Sequence, residues 1–260
     1  MIKAKKSLGQ NFLEDENIIK KIISTTEIKN ETILEVGPGT GNLTKYILKN
    51  NPKEFFVIEK DNNLTSILKQ KFKNQLKLIN DDILKIDEKK ITKDKLIVFG
   101  NLPYNISTEI LCKWILDLNN DQFWFKSLIL MFQKEVADRI ISKINSSNYG
   151  RLSILANWKL KIEKVFDIKP SCFYPKPKVD SSLLIFKPKK NFFKLKNAKN
   201  LEKITRIFFN QRRKMIKKPY NFLFNGNLDI QERLNLNLSL RPQNLDFETY
   251  YNLAKEYENL

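Results

Sequence analysis

Short apolar runs alternate with longer stretches of helical spacing along the first three quarters of the chain. Thr32-Ile33-Leu34-Glu35-Val36, Phe55-Phe56-Val57-Ile58, Leu76-Lys77-Leu78-Ile79, Leu96-Ile97-Val98-Phe99 and Ser127 to Phe132 read as strands. Asn42 to Lys49, Asn63 to Phe72 and the group Glu109-Ile110-Leu111 with Trp114-Ile115-Leu116 carry helical spacing, and a further helix is predicted from Lys134. Strands alternating with helices predict a largely parallel α/β sheet covered on both faces. Val165 to Ile168 and Ser182 to Phe186 flank a proline-rich loop with no long helix between them. That spacing predicts an antiparallel pair at one sheet edge.

The pattern changes near Lys187-Pro188-Lys189-Lys190. Beyond it, Leu201, Ile204, Ile207 and Phe208 recur at helical spacing, and a last amphipathic stretch runs from Phe247 to Tyr257. Residues 190–218 hold eleven Lys or Arg against one acid, Glu202. The expected organisation is therefore an α/β domain over residues 1–188 and a small, basic, all-helical domain over 189–260. A length of 260 residues suits one large and one small unit, at roughly 150 residues per domain.

The formal charge of +18, from 47 basic and 29 acidic residues, points to a polyanionic partner. Abundant Lys, Asn and Ile are also what an A/T-rich coding sequence produces, so charge alone does not decide the point. Met1 to Lys6 is basic with no apolar region behind it, and no apolar run approaches the roughly 20 residues of a membrane span. Neither a signal peptide nor a membrane segment is expected. Cys112 and Cys172 are the only cysteines and form no C-x-x-C pair, which suits a reducing cytoplasm and suggests no zinc site. The absence of histidine removes a Ser-His-Asp triad, an imidazole base and the commonest metal ligand together. No metal is expected.

Candidate chemistry gathers at strand ends. In "ILEVGPGTGNLT", Gly37, Gly39 and Gly41 follow the first strand and open a helix, where backbone can approach a ligand and helix N–H groups are free. The spacing is G-x-G-x-G rather than the G-x-G-x-x-G of pyrophosphate sites. With Glu35 just before it, the turn suits a ligand carrying an amino acid and a nucleoside without phosphate, although a glycine triplet can also be a plain tight turn. Glu59 ends the next strand about 20 residues on, where a carboxylate accepts both ribose hydroxyls in such sheets. Asp81 and Asp82 end the third, where a carboxylate can accept from an adenine amine. Each acid alone reads better as a solvated turn residue; together they predict an adenosine-containing ligand.

The fourth strand runs into "FGNLPYNIST". Gly100 and Ser107 or Thr108 supply a turn and a helix cap. The inserted Asn101-Leu102-Pro103-Tyr104 places an amide, a proline and an aromatic ring at the carboxyl end of the strand, where open α/β sheets bind ligands.

These stretches, in the order "SLGQNFLEDENI", "EVGPGTGNLT", "VIEKD", "NLPYNIST", "YGRLSIL", "FYPKPKVDS" and "FNQRRKM", closely resemble the ribosomal RNA adenine dimethyltransferases. The resemblance runs from about Lys5 to Lys218 and weakens over the last forty residues. It implies a Rossmann-like methyltransferase sheet that uses S-adenosylmethionine, with Asn11, Leu13, Gly37, Gly39, Glu59, Asp82 and Asn101 at the cofactor. Asn11 and Leu13 would close over it from the N-terminal segment. Asn11 to Asp15 also reads as a helix entry capped by Asp15, and both readings can hold.

The resemblance further implies dimethylation of N6 on two adjacent adenosines in the 3′-terminal hairpin loop of small-subunit ribosomal RNA, free or in a pre-small-subunit particle. Asn101, Leu102, Pro103 and Tyr104 would then be catalytic, with the Asn101 side chain and a Leu102 or Pro103 carbonyl shaping the amine. The target base would stack on Tyr104, and Phe173 would form a second wall, with Tyr174 able to exchange roles with it. Arg206, Arg212, Arg213, Lys214, Lys217 and Lys218, on or just after one amphipathic helix, would meet RNA phosphates beside the site mouth, while Ile204, Ile207 and Phe208 face the first domain. Two rivals are a large-subunit adenine methyltransferase, which shares most motifs, and a silent nucleic-acid-binding relative. Gly37, Glu59, Asn101 and Tyr104, all in place, argue against the latter.

Overall fold

The computed structural model describes Lys5 and residues 9–118 and 122–260. The basic start at Met1 to Lys6, Lys5 apart, and Ser7 and Leu8 of the first motif lie outside the described residues. In chain order the elements begin with β1 (Phe12–Leu13), α1 (Glu16–Ile23), β2 (Thr32–Val36), α2 (Asn42–Lys49), β3 (Glu54–Ile58), α3 (Asn62–Phe72) and β4 (Lys77–Ile79). They continue with β5 (Leu96–Asn101), α4 (Ser107–Leu116), β6 (Phe125–Gln133), α5 (Lys134–Ile140), α6 (Arg151–Lys159), β7 (Leu160–Ile168), β8 (Phe173–Tyr174) and β9 (Ser181–Pro188). The last four are helices, α7 (Ala198–Phe209), α8 (Lys217–Phe224), α9 (Leu228–Arg233) and α10 (Phe247–Glu258).

Seven strands form one sheet in the order β4-β3-β2-β5-β6-β9-β7. The first four pairings are parallel, and β9 runs antiparallel to β6. The near-continuous apolar runs belong to strands covered on both faces, since every residue of β2 is buried. Chain order reverses between β2 and β5, and the loops beyond their carboxyl ends open a crevice there. Asp15 caps α1 by accepting from the N–H groups of Asn17 and Ile18, and Ile19, Ile22 and Ile23 turn into the core at helical spacing.

The residues fall into two compact units. One comprises Met1–Ile110, Gln122–Ala137 and Ile162–Pro188; the other comprises Leu111–Asp121, Asp138–Lys161 and Lys189–Leu260. A unit boundary falls at Pro188, as the charge pattern suggests, but residues 189–260 share their unit with two earlier segments. The physical reason lies in α6, which buries Leu152, Ile154, Leu155, Ala156 and Trp158 around its circumference and so shows no amphipathic period in the sequence. It is fastened by the Tyr251 hydroxyl donating to the Ile154 carbonyl, by the Trp158 indole donating to the Phe193 carbonyl at 2.8 Å and by an Arg151–Glu202 ion pair at 2.6 Å.

Candidate active site

The turn after β2 is built on backbone that only glycine adopts easily. Gly37 and Gly39 have φ of +69° and +57°, and a Cβ on Gly39 would lie 2.6 Å from the Phe12 ring. The Gly37 N–H donates to the Ile58 carbonyl at 3.0 Å, which ties the turn to the end of β3. Glu59 follows β3 directly and is 7% exposed. Its carboxylate accepts the Asp61 N–H at 2.8 Å and those of Gly39 and Lys60. Burial still pushes its pKa up, against these hydrogen bonds.

Glu35 lies on the cleft floor. At 2% exposure it accepts from the Thr44 hydroxyl at 2.6 Å, and burial pushes its pKa up to about 8, so it is predominantly neutral at pH 7. Beyond β4, Asp82 is paired with Lys60 at 2.7 Å and accepts the Leu84 N–H at 3.1 Å; the Lys60 ammonium holds its carboxyl below the usual range.

β5 runs two residues past the predicted end at Phe99, because Gly100 and Asn101 pair with Leu130 and Met131 of β6. The sheet itself therefore fixes the Asn101 backbone. The Asn101 Nδ2 donates to the Asn11 carbonyl at 2.7 Å. A carbonyl only accepts, so the amide nitrogen faces the N-terminal segment and the oxygen, Oδ1, is turned away from it. Tyr104 follows in the turn, with its hydroxyl hydrogen-bonded to Ser181 Oγ at 2.5 Å; burial raises its pKa.

The N-terminal segment straps this arrangement. Gln10 Nε2 and Lys5 Nζ both reach Asp61, at 3.1 and 2.9 Å, and Asn42 Nδ2 donates to the Leu13 carbonyl at 2.8 Å. A cleft of about 210 Å³ results. Every cofactor residue expected from the sequence, Asn11, Leu13, Gly37, Gly39, Glu59, Asp82 and Asn101, lines it together with Leu102, Pro103 and Tyr104. The left-handed glycine cradle, with a carboxylate at the end of each of the next two strands, fits an adenosyl ligand on the chain's own chemistry. Gln10, Glu35 and Asn42 also line the cleft. "LGQNFL" and the glycine stretch drew attention to these positions, but their contacts with Asp61, Thr44 and Leu13 were not visible in the sequence.

Phe173 does not line this cleft. β1 and β8 pair antiparallel with Leu13 opposite Phe173, and the Phe173 ring lies in the apolar core at 4% exposure. Alternation along the strand then turns Tyr174 outward, at 47% exposure, and it does not line the cleft either. The basic set lies on and just after one amphipathic helix: Arg206 is on α7, Arg212, Arg213 and Lys214 lie in the turn after it, and Lys217 and Lys218 open α8. Arg206, Arg213, Lys214, Lys217 and Lys218 are exposed. Arg212 is turned inward, donating to Gln243 Oε1 at 3.1 Å and to the Ser146 carbonyl at 3.2 Å.

A glycine cradle and strand-end carboxylates at the switch point of this sheet define an S-adenosylmethionine-dependent methyltransferase. The chain belongs to the family described as ribosomal RNA adenine dimethylase, whose pattern matches residues 1–259 and so extends past Lys218. It is 62% identical over 259 residues to the ribosomal RNA small subunit methyltransferase A of Pelagibacter ubique, covering 100% of this chain and 98% of that protein. The crystal structure of a dimethyladenosine transferase from Plasmodium falciparum superposes with a TM-score of 0.80 at 30% identity, covering 95% of this chain and 98% of that one. That of the 23S rRNA methyltransferase ErmE shares the fold, with a TM-score of 0.67 at 20% identity over 95% of this chain and 99% of that one.

Proposed function

We propose that the protein dimethylates N6 of two adjacent adenosines in the 3′-terminal hairpin loop of small-subunit ribosomal RNA, during small-subunit assembly in the cytoplasm. The observation that carries the chemistry is the Asn101 amide, whose nitrogen is engaged by Asn11 so that Oδ1 remains as an acceptor at the cleft. The choice of small-subunit RNA rests on the 62% identity to the Pelagibacter ubique methyltransferase; the ErmE likeness supports the fold alone.

An adenine amine is a poor nucleophile because its lone pair is delocalised into the ring. When Oδ1 of Asn101 and one backbone carbonyl accept its two N–H bonds, electron density is drawn back to nitrogen and the pyramidal form is favoured. The Pro103 carbonyl already accepts the Ile106 N–H at 3.1 Å, so we assign the second acceptor to Leu102. Tyr104 offers a face on which the base stacks, worth roughly 1–3 kcal/mol. S-adenosylmethionine supplies a methyl group already activated by its sulfonium, so positioning does most of the work. Glu59 takes the ribose hydroxyls and Asp82 the cofactor's adenine amine. The methylated amine is a weak base whose proton passes to water, so the reaction needs no imidazole.

In this reading residues 1–188 supply the methyltransferase site and 189–260 the basic segment that meets RNA, through Arg206, Arg213, Lys214, Lys217 and Lys218. The substrate is the RNA itself or a pre-small-subunit particle. The test is to incubate the protein with labelled S-adenosylmethionine and each ribosomal subunit lacking the modification, then map the labelled nucleotide. Label on paired adenosines of the small-subunit hairpin is expected. Label confined to large-subunit RNA would overturn the assignment.

A further inference from the structure

We propose that Ser181 is a positioning residue for methyl transfer, its hydroxyl holding the Tyr104 ring in the plane that receives the target adenine. The inference rests on the reading of Tyr104 as the stacking platform. Tyr104 lies in the turn between β5 and α4 and lines the cleft, and the only hydrogen bond of its side chain among those described is to Ser181 Oγ. Ser181 is fully buried and does not line the cleft, so it acts through the tyrosine rather than on a ligand.

The anchor is held on both sides. Ser181 opens β9 opposite Gln133 of β6, and the Lys134 N–H donates to the Asp180 carbonyl at 2.9 Å on one side of it. On the other side the Ser182 hydroxyl donates to Asp167 at 2.7 Å, and Lys134 and Lys164 both pair with that carboxylate at 2.9 Å. A tyrosine ring turns about two torsions, and pinning its hydroxyl to a fixed strand removes that freedom before the base arrives. Stacking geometry is then paid for in the fold rather than on binding. The same bond joins the Asn101-Leu102-Pro103-Tyr104 turn to the strand that follows the "FYPKPKVD" loop, so two motifs far apart in sequence act as one wall.

The test is a double-mutant cycle on Ser181→Ala and Tyr104→Phe, read as kcat/KM for RNA at saturating cofactor and as cofactor affinity measured without RNA. Each single change is expected to lower kcat/KM for RNA about tenfold, and the double change to lower it no further than either alone. Cofactor affinity stays at the wild-type value in all three. Tyr104→Phe leaves the strand intact, so it measures the bond even if Ser181→Ala does not fold. Wild-type kcat/KM in Tyr104→Phe, or losses that multiply in the double change, would overturn the proposal. Tyr104→Ala separates the two claims: impaired methylation there with none in Tyr104→Phe sinks only the role of Ser181, whereas wild-type methylation in Tyr104→Ala sinks the platform itself.

Discussion

The cleft and the basic segment hold residues of equal prominence in the sequence, but the fold treats them differently. In the cleft, polar side chains are tied to fixed partners in the fold: Asn101 to the Asn11 carbonyl, Asn42 to the Leu13 carbonyl, Glu35 to the Thr44 hydroxyl and Glu59 to the Asp61 N–H. Their positions are therefore set before any ligand arrives. Of the six cations singled out in the basic segment, five stand in solvent and the sixth, Arg212, is spent on Gln243 and Ser146. Directional chemistry needs fixed acceptors, whereas neutralising phosphates needs only charge within reach. A motif with spaced glycines and an amide thus identifies its residues one by one, and a run of lysine and arginine does not.

The sharpest test of the preorganised cleft is Asn101→Ala. It removes the acceptor proposed to shape the amine, and the loss of one such electrostatic partner should lower single-turnover methylation by about 10²–10³-fold. The rate should be measured at saturating cofactor. A rate within about threefold of wild type would place Asn101 with the solvated residues and dissolve the contrast between the regions.

Glu35 tests the same contrast through pH. Its folded pKa of about 8 stands above the ordinary 4.5, so the folded protein keeps a proton that the unfolded chain has lost between those values. Unfolding then releases a proton, and stability falls as pH rises from about 4.5 to about 8, by on the order of a few kcal/mol. Glu35→Gln keeps an acceptor for the Thr44 hydroxyl and carries no charge, so it should flatten that slope in denaturant titrations of the ligand-free protein. An unchanged slope would mean that the cleft acid is hydrated like a surface carboxylate.

Glu59→Ala should weaken the cofactor by about 1–3 kcal/mol, for charge-assisted hydrogen bonds lost to the ribose, and leave RNA affinity unaltered. Separate titrations of S-adenosylmethionine and RNA distinguish the two. Equal cofactor affinity in wild type and variant would reduce Glu59 to a brace for the Gly39 turn.

Legibility in the sequence followed locality. The parallel strands and the glycine turn could be read because an apolar run or a left-handed glycine is specified within a few residues, whereas the end of β5 depends on the pairing of Gly100 and Asn101 with β6. α6 could not, since a helix buried on all sides has no polar face to set its period. The direction of the Phe173 ring could not be read, because it depends on the two-residue pairing with Leu13, some 160 positions away, and not on its own loop. The internal partners of Arg212 were not visible for the same reason, being contributed by the chain at Ser146 and Gln243.

Arg212 and Arg213 are neighbours in sequence, which makes them the finest comparison of the two uses of charge. Arg213 is exposed, and its replacement by Gln removes a cation without disturbing packing. If it meets a phosphate, the slope of log affinity for the ribosomal substrate against log salt should fall by about one, with thermal stability unchanged. Arg212→Gln breaks the hydrogen bonds to Gln243 and the Ser146 carbonyl, and it should cost about 1 kcal/mol of stability while leaving the salt slope near wild type. Melting curves and binding at several salt concentrations on the two single variants separate the effects. If Arg212→Gln flattens the salt dependence as much as Arg213→Gln does, Arg212 leaves its internal partners to bind RNA. If neither does, the exposed lysines and Arg206 carry the phosphate contacts.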